Sequence, residues 1–336
     1  MISEIIDHLC ITFRCSGENV NEQIHESEEA LLNLSHQTEF YPSLFQIISS
    51  NEIPEEIRKA AMNYLQFSIK RWSDMLDEGS QIFIVENYPT LLEHSYQFFD
   101  MSLKLTENLV DCTFYAGNLW PNLFDVILSG FSEFEKEKEK TFSSIFLLNA
   151  ISRHFKKRYD IEPFPIVNNF YPFLRDFIFF TLNHLSEGET EETNFNLLPF
   201  AATCYQTINF FNSSQLSEYF SENIDDFNAL LFQTTQIACF EKMNCTVEEF
   251  IYFSKQAMKF SAKMIKRYPE QIKDTIPLQI LQSLFEFFSK FHNNELVLSS
   301  VARLINSFLS YEPTCQYIIE NECPNFIIKL VFPFYF

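Results

Sequence analysis

Glycine is nearly missing from this chain, with five residues in 336 where an ordinary soluble protein carries roughly 7%. Sandwiches and barrels need many tight turns, and many of those need a residue that accepts a positive φ. The scarcity argues against them and favours helices joined by short polar turns. It also removes phosphate cradles, which need closely spaced glycines so that backbone N–H groups can face the anion. No G-x-S-x-G elbow presents a serine nucleophile. The seven histidines (His8, His25, His36, His94, His154, His184, His292) form no H-E-x-x-H helix. The eight cysteines (Cys10, Cys15, Cys112, Cys204, Cys239, Cys245, Cys315, Cys323) contain no C-x-x-C pair. Thiols scattered in this way read as free, in a reducing compartment. His36 and His154 are left with two readings, a base that folding brings near a distant Cys or Asp, or an ordinary structural or surface residue. The expectation is a protein with no cofactor, no metal and no catalysis.

Long apolar runs are also lacking. Phe177 to Phe180 and Val331 to Phe336 fall far below the ~18 residues that span a bilayer, so no membrane insertion is expected. The start, MISEIIDHLC, carries Glu4 and Asp7 where a signal peptide wants positive charge. An intracellular chain is expected, whose sequons at Asn33, Asn212 and Asn244 stay unmodified. Positive charge is short as well: 24 basic residues face 45 acidic ones, a net charge of −21. That field repels phosphate backbones and anionic membranes, so no nucleic acid is expected as a direct partner and basic proteins are favoured. An acidic surface is equally a solubility device.

What is present is apolar mass, 46% of the residues, with 40 phenylalanines. These read as replacements for core Leu and Val, or alternatively as aromatic cages or a base-stacking surface. The clearest period lies in Ile57 to Trp72, where Ile57, Ala60, Ala61, Tyr64, Leu65, Ser68 and Trp72 share one helical face. Pro54, Glu55 and Glu56 suit its positive end, and Lys70 and Arg71 its negative end. Similar stripes occur at Ile5, Leu9 and Phe13, at Leu278, Leu281, Phe285 and Phe288, and at Val297, Val301, Leu304 and Phe308. Breaks fall at Cys15–Asn21, Ser49–Pro54, Ser186–Asn194, Tyr268–Pro277, His292–Asn294 and Tyr311–Pro313. The dense alternation Glu135 to Lys140 marks a solvated helix start or a turn. Glu187 to Glu192 is an acidic turn, or a loop that grips a basic ligand. Helical hairpins in tandem give an all-α fold, an α-α superhelix of the HEAT or armadillo type.

Against this background Ser27 to Phe40 (SEEALLNLSHQTEF), then YPSLFQII, then IRKAAMNYLQFSIKRW from Ile57 to Trp72 resemble the N-terminal domain of the importin-beta superfamily of nuclear transport receptors. Glu28, Leu31, Phe40, Leu44, Ile57, Arg58, Ala60, Tyr64, Leu65, Ile69 and Trp72 take the matching positions. Leu119 to Leu123 (LWPNL) resembles the W-P-x-L that opens a later hairpin, and Phe146 to Tyr159 resembles a helix ending in a basic-aromatic cluster. The closing IIKLVFPFYF resembles a helix of the importin seven and eight subgroup. The resemblance implies residues 1–76 as an importin-beta N-terminal-like domain of two hairpins, and 77–336 as further hairpins of one continuous solenoid. One departure is that the family's Lys-Asn pair stands here as Gln66-Phe67, with the stretch before Trp72 one residue short. Family members are also much longer chains.

The resemblance further implies Ran-GTP, Phe-Gly nucleoporins and basic protein cargo as partners, and a chain found in cytoplasm and nucleus and at the nuclear pore. The helix from Ile57 would then lie on the Ran face, with Arg58, Lys59, Asn63, Gln66, Lys70 and Arg71 as the partner-binding residues. Read physically, Lys59, Asn63, Gln66 and Lys70 recur at helical intervals opposite the apolar stripe. Such a row either meets an acidic patch or merely solvates the helix, and Arg58 has a second reading as a bridge between helices. An exportin-type receptor and a Ran-independent HEAT scaffold remain as alternatives. Finally, apolar residues crowd the segment after Asn325, which is expected to self-associate or to tuck against the preceding hairpin.

Overall fold

The structure is a computed structural model. It describes residues 1–14, 20–115, 120–132, 136–157, 168–187, 197–212, 218–237, 247–268 and 295–309, with a few single positions between 283 and 320. Among the described residues there are fifteen helices and no strand, so the fold is all-α, as expected. The chain divides into two compact units, Met1–His154 and Phe155–Phe336.

The first unit holds α1 (Ile2–Arg14), α2 (Val20–Ser35), α3 (Phe40–Ser49), α4 (Glu55–Lys70), the single-turn α5 (Trp72–Met75), α6 (Glu78–Ser95), α7 (Phe99–Tyr115), α8 (Leu123–Phe131) and most of α9 (Lys138–Lys157). Helices α1 and α2, α3 and α4, and α6 and α7 pack as consecutive pairs, while α3 packs on α6 and α4 on α7. Each pair therefore sends one helix to each of two layers, as in a stack of HEAT-type hairpins. Polar links repeat the pattern one step on. Arg153 pairs with Glu107 and His154 with Asp111, tying α9 to α7, and Thr141 Oγ1 donates to the Gly130 carbonyl at 2.8 Å, tying α9 to α8.

The stripe read from α4 is buried as expected at Ile57, Ala60, Ala61, Leu65 and Ser68. Arg58, Met62 and Ile69 are buried too, because α1, α3 and α7 all cover this helix. Its ends match their expected electrostatics, with Glu55 and Glu56 in the first turn and Lys70 in the last. The next pair opens on a side-chain cap, Asp77 Oδ1 accepting from the Ser80 N–H at 2.7 Å. The 76/77 border falls between α5 and α6, whereas the border between compact units falls within α9.

The second unit holds α10 (Tyr171–Glu187), α11 (Leu197–Phe211), α12 (Glu218–Glu222), α13 (Ile224–Ile237), α14 (Val247–Arg267) and α15 (Glu295–Leu309). Helix α10 packs on α11 and α13, α11 on α14, and α14 on α15, again in two layers. Its core is aromatic. Tyr171 stacks on Tyr219 at 5.8 Å, and Phe220 meets Phe227 at 4.4 Å and Phe260 at 5.6 Å. Phenylalanine thus does the work of core Leu and Val. Phe67 is the one phenylalanine among the exposed large hydrophobic side chains of the described residues.

Leu278, Leu281, Phe285, Phe288, the acidic stretch after Glu187 and the segment after Asn325 lie outside the described residues. Among the described residues no helix is long and apolar enough to cross a membrane.

Candidate partner-binding face on the second hairpin

Helix α4 places five of the six candidate residues, and Arg71 follows at its C-cap. Lys59, Asn63 and Lys70 are exposed and Gln66 is half-buried. Their spacing keeps them on one side of the helix. Lys59 and Lys70, eleven positions apart, are separated by about 16 Å along the axis at the rise of an α-helix. The row therefore has two ends with different surroundings.

At the N-terminal end Lys59 forms an ion pair with Glu55 one turn back. This contact holds the Glu55 carboxyl below its ordinary range, chiefly through a hydrogen bond from the Lys59 amine. Lys59 Nζ also lies 5.6 Å from the centre of the Phe98 ring. Beside it opens a cleft of about 630 Å³ lined by Glu55, Arg58, Lys59, Gln97, Phe98 and Asp100 among others.

Arg58 is placed differently from its neighbour. It is only 5% exposed, and its guanidinium is spent on the packing of the hairpins. Nε donates to the Ile48 carbonyl at 2.7 Å, Nη1 to Asn51 Oδ1 at 3.0 Å and Nη2 to the His94 carbonyl at 3.1 Å. Turned to satisfy both groups, the Gln97 amide oxygen accepts from Nη2 at 2.7 Å and Nη1 at 2.8 Å. The Phe98 ring lies 4.9 Å away. Burial pulls the guanidinium below its ordinary pKa, with Glu55 opposing, and this donor set keeps the charge solvated by carbonyls. Arg58 joins α3, the α3–α4 turn and the end of α6, the bridging role that was its second reading.

At the C-terminal end Lys70 and Arg71 are exposed. The Arg71 guanidinium lies 4.4 Å from the centre of the Phe67 ring, which is itself 42% exposed. Tyr64 approaches the same ring at 6.1 Å. This end is a cation–aromatic surface. Gln66 Nε2 is buried with no hydrogen-bond partner among the described residues. Phe67 was read from the sequence only as a departure from the family's Lys-Asn pair, and its spacing to Arg71, one helical turn, was the signal that it belongs to the surface.

The two histidines with a catalytic reading come out differently. His36 is exposed. His154 is buried, with Nδ1 at 2.7 Å from Asp111 Oδ1 and its ring 4.9 Å from that of Phe114. Cys112, beside Asp111, donates its thiol to the Ile69 carbonyl at 3.3 Å. Burial and then Asp111 push that thiol up, away from the thiolate a nucleophile needs. Among the described residues no group of three or more His, Cys, Asp or Glu side chains is arranged to hold a metal.

Residues 27–88 match the family model of the importin-beta N-terminal domain, which bears out the resemblance read from the sequence. The matched segment runs from within α2 into α6 and contains all six candidate residues. No curated protein sequence matches the chain. Among solved structures it is similar to the exportin Cse1 in its cargo-free, cytoplasmic state, with a TM-score of 0.77 and 14% identity. The likeness covers 98% of this chain and 36% of that one, so the chain spans about a third of that exportin's length. At this identity the likeness shows the fold alone, an all-α array of HEAT-type hairpins.

Proposed function

We propose that the chain is a nuclear transport receptor, either a fragment or a short paralogue, that receives Ran-GTP on the exposed face of α4. The observation that carries this reading is the importin-beta N-terminal match over residues 27–88, which encloses the row Lys59, Asn63, Gln66, Lys70 and Arg71. In this reading the cations of the row meet acidic groups of the GTPase, and charge complementarity sets orientation and association rate more than total affinity. Phe-Gly nucleoporins insert phenylalanine between neighbouring helices of one layer, and basic cargo is drawn by the net charge of −21. The chain then works in cytoplasm and nucleus, passing the pore, and catalyses nothing. Import and export are both compatible with this face.

The test is a pull-down of the full chain with Ran loaded with GTP or with GDP. Selective capture of the GTP form supports the receptor reading, and indifference to the nucleotide overturns it. A second reading, a HEAT scaffold independent of Ran, is favoured by two features: Gln66-Phe67 replaces the family's Lys-Asn pair, and the Lys59 charge is shared with Glu55.

A further inference from the structure

Five of the chain's 24 basic residues lie on one helix, α14: Lys255, Lys259, Lys263, Lys266 and Arg267. Lys255, Lys259, Lys263 and Arg267 follow one another at four-residue steps and so share a face. Like charges at this spacing repel and destabilise their own helix. Cations in a last turn complement the negative end of the helix, which accounts for Lys266 and Arg267. Lys259 and Lys263 lie further back and gain little from it.

A second helix adds to the cluster. Lys156, in the last turn of α9 and within the second unit, holds its Nζ 4.8 Å from the centre of the Phe210 ring of α11. The Tyr268 hydroxyl donates to the Asn212 carbonyl at 3.1 Å, tying the end of α14 to the end of α11. Lys156 and Lys259 are exposed, as is Arg267, and Lys263 is half-buried between them. Burial first, then the charges of Lys156, Arg267 and Lys259, push the Lys263 amine down to about 8. A protein with net charge −21 thus concentrates positive charge at one place, at a cost to helix α14.

We propose that Lys156, Lys259, Lys263 and Arg267 form a docking site for an acidic, extended segment of a partner protein. The sign is opposite to that of the basic cargo the whole chain attracts, and the site stands whether or not α4 receives Ran. Screening confines the attraction of the cluster to about 8 Å at physiological salt. A short run of Asp and Glu fits inside that range. A nucleic acid carries its charge along its whole length, about one per 1.7 Å of duplex axis, and beyond the cluster would meet a chain whose net charge is −21. The lysine stems and the half-buried Phe210 ring also offer apolar contact to the methylenes of Glu.

The experiment is fluorescence anisotropy of a short labelled poly-Glu peptide against the full chain, with oligo-dT of equal length as the competing polyanion. K259E/K263E is expected to weaken poly-Glu binding about tenfold or more. K156E, from the other helix, is expected to weaken it in the same direction, and K104E/K136E, at two exposed lysines of the first unit, to leave it unchanged. The neutral pair K259Q/K263Q repeats the measurement with less disturbance, and far-UV spectra confirm that each variant keeps its helices. Loss of binding confined to variants of this cluster supports the site. Undetectable poly-Glu binding, equal binding by all variants, or equal loss with K104E/K136E overturns it. Tighter binding of oligo-dT, lost in the same variants, also overturns it and makes the patch a nucleic-acid surface.

Discussion

Arg58 Nε and the carbonyl oxygen of Ile48 lie 2.7 Å apart across the second hairpin, and the same guanidinium reaches His94 at the end of α6. Removing it leaves several buried acceptors without a donor. R58A is expected to lower the unfolding free energy by about 2–4 kcal/mol. R58K is expected to recover only part, because an ammonium cannot spread its donors as a fork does. Urea titration of the three proteins checks this, and coincident midpoints would remove the bridging role.

Along the exposed row of α4, the double reversal K59E/K70E is expected to cost about 1–3 kcal/mol of Ran-GTP binding, toward the low end for charge pairs at an interface. K70E carries the larger share, since the Lys59 charge is already partnered by Glu55. Calorimetry on the double and single variants measures it. Wild-type affinity in the double variant would show that the row is only solvated.

At Gly130 α8 lies close against α9. A Cβ there would meet Ser144 Oγ at 2.0 Å and the Lys140 carbonyl at 2.8 Å, distances that force the helices apart. G130A is therefore expected to destabilise the chain by about 1–3 kcal/mol, as overpacking does, despite alanine's better helix propensity. Adding S144A is expected to restore only part, because the clash with backbone remains. Thermal melts of the single and double variants decide; a stabilised G130A would show that the two helices part freely.

Lys263 makes a prediction in pH. Its amine titrates near 8 in the folded chain and in the ordinary lysine range when unfolded, so between those values the unfolded chain binds more protons. Stability contributed by this group therefore rises as pH increases through that window. At pH 7 the folded state carries the full cost of burying the charged amine, together with the repulsion of Lys156, Arg267 and Lys259. K263Q is accordingly expected to melt higher than wild type at pH 7, with the difference shrinking toward pH 10. A difference independent of pH would rule out this origin.

The fold was legible because its cause is local. Few glycines and a 3.6-residue apolar period leave helices as the economical solution, and breaks at Ser49–Pro54 and after Arg267 stand where proline or a polar run marks them. The turns at 36–39 and 96–98 were not legible. They close on backbone bonds, Gln37 N–H to Leu34 O at 2.9 Å and Phe98 N–H to Ser95 O at 2.9 Å, and ask for neither proline nor glycine. On the candidate face the exposed positions Lys59, Asn63 and Lys70 followed from the helical period. The depth of Arg58 did not, because its burial depends on α6, some 36 positions along the chain. The basic cluster around Lys263 needed the fold as well, since Lys156 joins it from a distant stretch of sequence.

The packing of each helix pair on its sequence neighbours bears on how the chain is made. Partners in α1 through α7 have at most two helices between them, so few long loops must close before apolar surface is covered. A nascent chain leaving the ribosome can seat α4 against α3 before α6 exists, then use the finished pair as the platform for α6 and α7. Synthesis and assembly run in the same direction, and the aromatic faces of later hairpins spend little time bare to the crowded cell.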